Sequence, residues 1–362
     1  MFKRTCFVTS LLVLFSLLLT ALPALAGVPE AIDWLRTQQN DDGGFGEPES
    51  TVGNTADAVQ AIVAAGKDLE TWNKGGNSPL TFLAANAANL TTAGETAKVI
   101  LAAVAAGENP RDFGSVDLIV ALERMLGDDG RFGGETDFQG SHCLAILALK
   151  SVSRPIPAAA VDCLKNTQID DGTWAWSFST AAGEGDNNSA ALAVMALIAA
   201  GEPADGEAIQ KTIAHFRGQQ NDDGGFPYIN PSPYGTDSDA NSTAVVLQAL
   251  IAAEKDPKTW AKGKANTPFT ALASFQNDDG SFVWQLAFPG PNFLATVQAV
   301  PALAGKVYPI ATTTVSEAAA APETLPVTGA GLSSNARWLV TAGLALAGSG
   351  LMLRRRLSCT VA

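Results

Sequence analysis

Two kinds of apolar segment alternate along this chain. One kind is apolar nearly all round and rich in small residues. Its copies read "NTADAVQAIVAAG" from Asn54, "ETAKVILAAVAAG" from Glu95, "SHCLAILALKSV" from Ser141, "SAALAVMALIAAG" from Ser189, "STAVVLQALIAAE" from Ser242 and "NFLATVQAVPALAG" from Asn292. A helix with no continuous polar face must be buried on every side. The other kind is amphipathic. In "PEAIDWLRTQQ", Ile32 and Leu35 share one face and charged residues take the rest, so this helix is expected to be half solvated. Strand-like alternation is scarce. Taken in order, the segments pair into six helical hairpins, each with an outer amphipathic helix and an inner buried one. Such hairpins predict two concentric rings of helices, and a ring of six can close, so that no apolar helix face is left at an open end.

A short polar phrase joins the two helices in five of the six hairpins. "QQNDDGGF" stands at Gln38 to Phe45 and returns unchanged at Gln219 to Phe226, 181 positions later. Related copies are "QIDDGTW" from Gln168, "QNDDGSF" from Gln276 and the fainter "LGDDGRF" from Leu126. The second unit has lost this phrase near Ala88 to Thr92 but keeps its helix. Repeat spacing runs at about 40 to 55 residues, longer than 34-residue helical repeats. Glycine supplies backbone angles that other residues resist, and the Asp side chains can bond local amides. The aromatic is expected to drop inward as a wedge between units. A Ser, Thr or Asn at the start of each inner helix is expected to act as its N-cap. The repeated Asp pairs are therefore read first as structural.

The "Q-x-D-D-G-x-[FW]" phrase resembles the QW-type repeat of the terpene cyclase and protein prenyltransferase toroid superfamily. The resemblance covers about Val28 to Pro309 and implies an all-α (α/α)6 toroid with a pocket at the mouth where the inner helices begin. Similar toroids occur in cobalamin carriers, complement thioester domains and some polysaccharide-active enzymes, so the fold does not by itself assign an activity.

Composition narrows the partners. The 362 residues are 47% apolar and 16% charged, with a net charge of −13. An acidic chain without a basic run in its body repels phosphate, which argues against nucleic acid. Cys143 and Cys163 are the two cysteines of the body; they are a candidate disulfide pair in an exported protein, but the sequence does not give their separation.

Both ends read as addresses. Residues 1–26, with Lys3 and Arg4, an apolar run and Ala24-Leu25-Ala26, form a secretory signal expected to be cut after Ala26. The toroid takes residues 27–310 and an Ala/Thr/Pro-rich linker takes 311–324. "LPVTG" follows at 325–329, then an apolar run at 338–353 and a basic tail at 354–362. The run of 16 residues would measure about 24 Å as a helix, slightly short of a full membrane span, and Arg354, Arg355 and Arg356 would stay cytoplasmic. In that order the three features resemble a cell-wall sorting signal. The resemblance implies a sortase-type transpeptidase as partner, cleavage between Thr328 and Gly329, and attachment to the cell envelope; a plain membrane tether through the C-terminal segment is the alternative. In both cases the body faces outward.

The candidate chemistry lies in the loops before the inner helices. The richest is "PYINPSPYGTDSDANSTAV", Pro227 to Val245. Class II terpene cyclases protonate an alkene with the middle Asp of a D-x-D-D motif. Asp237-Ser238-Asp239-Ala240 matches its first and third letters and lacks the fourth. Asp239 would be the proton donor and Asp237 its support, but a weak base such as an alkene needs a strong, well-supported acid. The same letters open a calcium loop, with Ser242 where its Gly belongs and Gln248 for its distal Glu. The plainer reading makes Asp239 and Asn241 helix caps. Prenyltransferase zinc is not matched: Asp137, His142 and Cys143 lack that spacing, and adjacent His142 and Cys143 point about 100° apart on a helix. No metal site and no cofactor is identified. Two carboxylates of a glycosidase type could come from Glu95, Asp137, Asp186 and Asp239.

What remains is a lined cavity. Trp176, Phe178, Tyr228, Tyr234, Trp284, Phe288 and Phe293 follow the DG turns. They are expected to form an aromatic wall, with Asp186, Asn188, Glu95 and a pocket-facing His142 as polar groups, and such a lining suits a small molecule. Two functions stand side by side: an exported, surface-anchored toroid that binds a small molecule or envelope partner without catalysis, and a terpene-cyclase-like or carbohydrate-active enzyme using carboxylates at the mouth.

Overall fold

The computed structural model describes residues 27–310 except Tyr234 and Lys264. The expected signal peptide, linker, sorting motif and apolar run, with Thr328 and Gly329, lie outside the described residues, as does Tyr234. Among the described residues no helix is long and apolar enough to cross a membrane.

The architecture is an all-α toroid. The inner helices are α2 (Val52–Ala64), α4 (Ala93–Ala105), α6 (Gln139–Ser151), α8 (Asn187–Ala199), α10 (Ala240–Ala252) and α12 (Phe293–Leu303). Each packs on the next around the ring, and α12 packs on α2, which closes it. The outer helices are α1 (Val28–Thr37), α3 (Pro79–Asn86), α5 (Leu118–Glu123), α7 (Ala158–Asn166), α9 (Glu207–Gln219) and α11 (Pro268–Ala273). Most lean on the inner helix of the unit before: α3 on α2, α5 on α4, α9 on α8, α11 on α10 and α1 on α12. The two classes read from the sequence separate as expected. α1 buries Ala31, Ile32, Trp34 and Leu35 while Glu30, Asp33 and Arg36 face water. α6 buries ten of its thirteen residues. Alanines such as Ala58, Ala102, Ala145 and Ala196 are fully buried, and small side chains let neighbouring inner helices approach closely at native packing density.

The repeated phrase is the mortar of the ring. Its second Asp accepts from the amide two residues on: Asp42 from Gly44 (2.9 Å), Asp129 from Arg131 (3.0 Å), Asp171 from Thr173 (3.0 Å), Asp223 from Gly225 (2.8 Å) and Asp279 from Ser281 (2.9 Å). The first Asp of each pair is on the surface. Gly43, Gly130, Gly172, Gly224 and Gly280 all take φ between 80 and 91°. A Cβ at any of them would also stand under 3.0 Å from backbone at or just before the next unit's outer helix, so glycine is required twice over. The Gln of the phrase binds the carbonyl of that glycine and crosses to the following unit. Gln39 reaches Trp72 O (3.3 Å), Gln168 reaches Ala208 O (2.9 Å) and Gln220 reaches Trp260 O (2.9 Å). The aromatics Phe45, Phe132, Trp174, Phe226 and Phe282 are the expected wedges, none more than 1% exposed.

Candidate functional site

Each inner helix starts at the same rim of the toroid, and its cap decides what the rim can do. The capping residues are Thr51, Thr92, Asp186, Asp239 and Asn292, while α6 starts after Phe138 with no side-chain cap. Except at Asn292, this moves the expected caps upstream: Ser189 and Ser242 are the capped residues, three positions inside. Asp186 accepts from Ser189 N (2.8 Å) and Ser189 Oγ (2.8 Å), and Asp239 from Ser242 N (2.7 Å) and Ser242 Oγ (2.8 Å). Both are almost fully buried, at 1% and 2% exposure. Burial pushes each carboxyl up to about 6, against the opposing pull of the Ser bonds. Asp186 also takes a bond from the Tyr228 hydroxyl.

Asp239 is thus a helix cap, the plainer of the readings that the sequence allows. Burial makes this carboxyl keep its proton to higher pH than a free one does. Asp237 gives it no support: its side chain is exposed, and its backbone carbonyl takes Gln285 Nε2 (3.3 Å). Asn241 is not a cap; its Nδ2 donates to Gln298 Oε1 (2.7 Å). Of the remaining candidate carboxylates, Asp137 accepts from Ala93 N (3.3 Å) and Gly94 N (3.1 Å) at the start of α4. Glu95 lies half-buried beside the Thr92 hydroxyl (3.3 Å).

His142 does not face a pocket. It occupies the fourth position after the helix start, which is Thr55 in α2, Thr243 in α10 and Thr296 in α12. Those hydroxyls accept the amide of the wedge aromatics Phe45 (2.9 Å), Phe226 (3.0 Å) and Phe282 (2.9 Å). His142 Nδ1 accepts the Phe132 amide in the same way (3.1 Å), leaving Nε2–H to donate to Ala160 O (3.0 Å). It is wholly buried, and burial lowers its pKa to about 4, so it is a neutral structural histidine. Cys143 takes a bond from Gln139 Nε2 (3.2 Å), and Cys143 and Cys163 are free buried thiols. His215 is half-buried with Nε2 on Asn187 Oδ1 (3.1 Å).

The inner helices also line the axis of the ring. The flanks of each inner helix meet its ring neighbours and its back meets outer helices, so its remaining face turns to the axis. Six positions after each cap stand Asp57, Lys98, Leu144, Leu192, Val245 and Gln298. Lys98 Nζ and Asp57 Oδ2 pair at 2.6 Å with side chains 19% and 12% exposed. Leu144, Leu192 and Val245 give the opposite wall an apolar patch. Asn188, two positions after its cap, has an Oδ1 with no bonding partner. One turn deeper, Gln60, Leu101, Leu147, Met195 and Gln248 are at most 1% exposed. The chain after α12 covers this end: Lys306 O takes Gln248 Nε2 (3.0 Å), and Ile310 packs with Val63, Ala64, Ala105 and Tyr308. Burial and the Asp57 carboxylate raise the Tyr308 phenol well above its ordinary range.

Trp176 and Trp284 stand on the rim itself rather than within the ring. Trp176 is 48% exposed and meets Phe138 edge-on at 4.9 Å; Trp284 stacks on exposed Phe288 at 5.5 Å. Beside Trp284 a hollow of about 430 Å³ lies between the loops of the last two units, lined by Asn221, Asp223, Thr236, Asp237, Ser238, Phe275, Gln285, Leu286 and Ala287. The sequence reading missed Asp57, Lys98, Gln298 and Tyr308. Aligning the six inner helices on their caps exposes the first three, because a polar residue recurs there in segments otherwise apolar.

Comparison with known proteins places this geometry. The type II terpene cyclase MstE from Scytonema superposes with a TM-score of 0.56 at 15% identity, over 78% of this chain and 98% of that one. An inactive variant of an alpha-1,6-mannanase from Salegentibacter gives 0.56 at 12% identity over 78% and 98%, and a protein from Actinoplanes gives 0.54 at 16% over 78% and 98%. These likenesses concern the fold. No curated protein matches the sequence. The profile of the squalene-hopene cyclase C-terminal domain matches residues 134–314, half of the chain. With the closed double ring, this match shows that the chain belongs to the squalene-hopene cyclase C-terminal domain family.

Proposed function

We propose that this chain is an exported toroid that holds an uncharged ligand at its rim without catalysing a reaction. The observation behind this reading is the state of Asp186 and Asp239, the two buried carboxylates at the rim. Each is enclosed at 1–2% exposure and bonded to its own helix start. Outside the described residues, the "LPVTG" motif, apolar run and basic tail support tethering to the cell surface. A sortase-type transpeptidase acting between Thr328 and Gly329 is the partner that motif implies.

The second reading is an enzyme. The family match favours it, as do two neighbours: MstE with bound geranylgeranyl dihydroxybenzoate, and the mannanase with alpha-1,6-mannotriose. Glu95 is then the carboxylate with fewest backbone ties. Incubating the purified protein with polyprenyl substrates and with wall glycans, wild type beside Asp239→Asn and Glu95→Gln, separates the two readings. No product from any of them is the expected result. Turnover by the wild type that either substitution abolishes overturns the binding reading.

A further inference from the structure

Three consecutive units carry an aromatic two residues after the buried wedge: Trp176 after Trp174, Tyr228 after Phe226 and Trp284 after Phe282. The position is set by the backbone. In each case its carbonyl accepts the first amide of the preceding unit's inner helix: Gln139 N to Trp176 O, Asn187 N to Tyr228 O and Ala240 N to Trp284 O, all at 2.9 Å. The three residues therefore sit over the starts of α6, α8 and α10, which are successive in the ring. Packed helices lie about 8–10 Å apart, so the arc spans roughly 16–20 Å. That is too long for one small ring and suits an extended chain.

The chemistry around the arc selects its occupant. The rings at the two ends each have an aromatic neighbour, Trp176 the edge of Phe138 and Trp284 the stacked Phe288, which restrains them before anything binds. No lysine or arginine occurs at positions 166–210, 218–254 or 275–305, the stretches that build this part of the rim. Lys98, on the axial wall, is already paired with Asp57. Arg131, over the Phe178 ring at 4.4 Å, is likewise paired, with Asp129 at 3.4 Å, and the net charge of −13 would repel a diphosphate or an anionic lipid headgroup. What the rim does offer is acceptors: the exposed Asp237 carboxylate and the half-exposed Gln285. Flat apolar faces beside acceptors match a molecule with an apolar ring face and an edge of hydroxyl donors.

We propose that Trp176, Tyr228 and Trp284 form an aromatic arc that binds a neutral oligosaccharide chain across the rim. The proposal rests on the binding reading above and specifies its ligand class. The test titrates the full chain, followed by tryptophan fluorescence, with gluco- and manno-oligosaccharides of about two to six units. Inorganic phosphate, polyprenyl diphosphate and phosphatidylglycerol vesicles are run in parallel. Affinity for a neutral oligosaccharide should rise with length. Trp176→Ala and Trp284→Ala should each weaken it about tenfold, or about 1.4 kcal/mol. Trp176→Phe, which keeps a ring, should retain most of it, and an unchanged circular dichroism spectrum shows that the alanine variants fold. Binding only to vesicles or polyprenyl diphosphate, no binding to any oligosaccharide, or binding indifferent to both alanine variants would overturn the arc. Release of new reducing ends would instead overturn the non-catalytic reading and, if lost in Trp176→Ala, support the arc.

Discussion

Gln276 Nε2 donates to Gly27 O at 2.6 Å, across 249 positions of sequence. It is the same bond that Gln39, Gln168 and Gln220 make to the units that follow them, but here the following unit is the first. One local rule, a Gln that binds its own turn and then the next unit, builds the ring and also seals it.

Gln276→Ala should therefore cost about 1–3 kcal/mol, since it leaves Gly27 O and Gly280 O without that donor. Gln38→Ala removes only a bond to Thr37 Oγ1 at the surface and should stay within about 0.5 kcal/mol. Urea unfolding of both variants measures the difference; equal midpoints would show that the closing bond does not hold the ring.

Asp239 and His142 give opposite pH dependences. The Asp239 pKa is raised from 3.8 to about 6 in the folded chain. The native state therefore binds more protons than the unfolded one between those values, and this group's contribution to stability falls as pH climbs from about 4 to about 6. Asn caps as well as Asp and carries no charge. Asp239→Asn should gain on the wild type across that window by roughly 3 kcal/mol, at about 1.4 kcal/mol per pKa unit. His142 is lowered from 6.5 to about 4; its contribution is whole above 6.5 and is lost as pH falls towards 4. His142→Thr, which restores the residue of the other units, should lose stability at pH 7 and recover relative to wild type below pH 6. Urea midpoints between pH 4 and pH 8 check both, and parallel curves for variant and wild type would refute the assigned shifts.

Lys98 and Asp57 are a nearly buried pair on the axial wall. Lys98→Ala strands a carboxylate there and should cost about 3–5 kcal/mol, whereas Asp57→Leu with Lys98→Met should be near neutral. A double-mutant cycle reads the coupling. The double variant should also keep the oligosaccharide affinity of the rim, because neither side chain belongs to the aromatic arc.

The unit count, the two helix classes, the order of the ring and the inward wedge of Phe45 or Phe226 were legible from periodicity and from the repeated phrase. These depend on contacts within about ten residues or between equivalent positions, so repetition displays them. The roles of the rim residues were not legible. Asp239 reads most plainly as a cap, with acid and calcium ligand left as alternatives, until its carboxylate is seen against Ser242. His142 reads as a pocket residue until its ring is seen taking the Phe132 amide, as Thr243 takes that of Phe226. The lumen was hidden for a further reason. An inner helix that is apolar nearly all round has little amphipathic preference, so its own residues do not say which face turns to the axis. The neighbours set that rotation, pairing Asp57 with Lys98 and folding Tyr308 and Ile310 beneath them. Local patterning names the elements and their sequence of contacts, while the lining of a closed ring follows from how all six units pack at once.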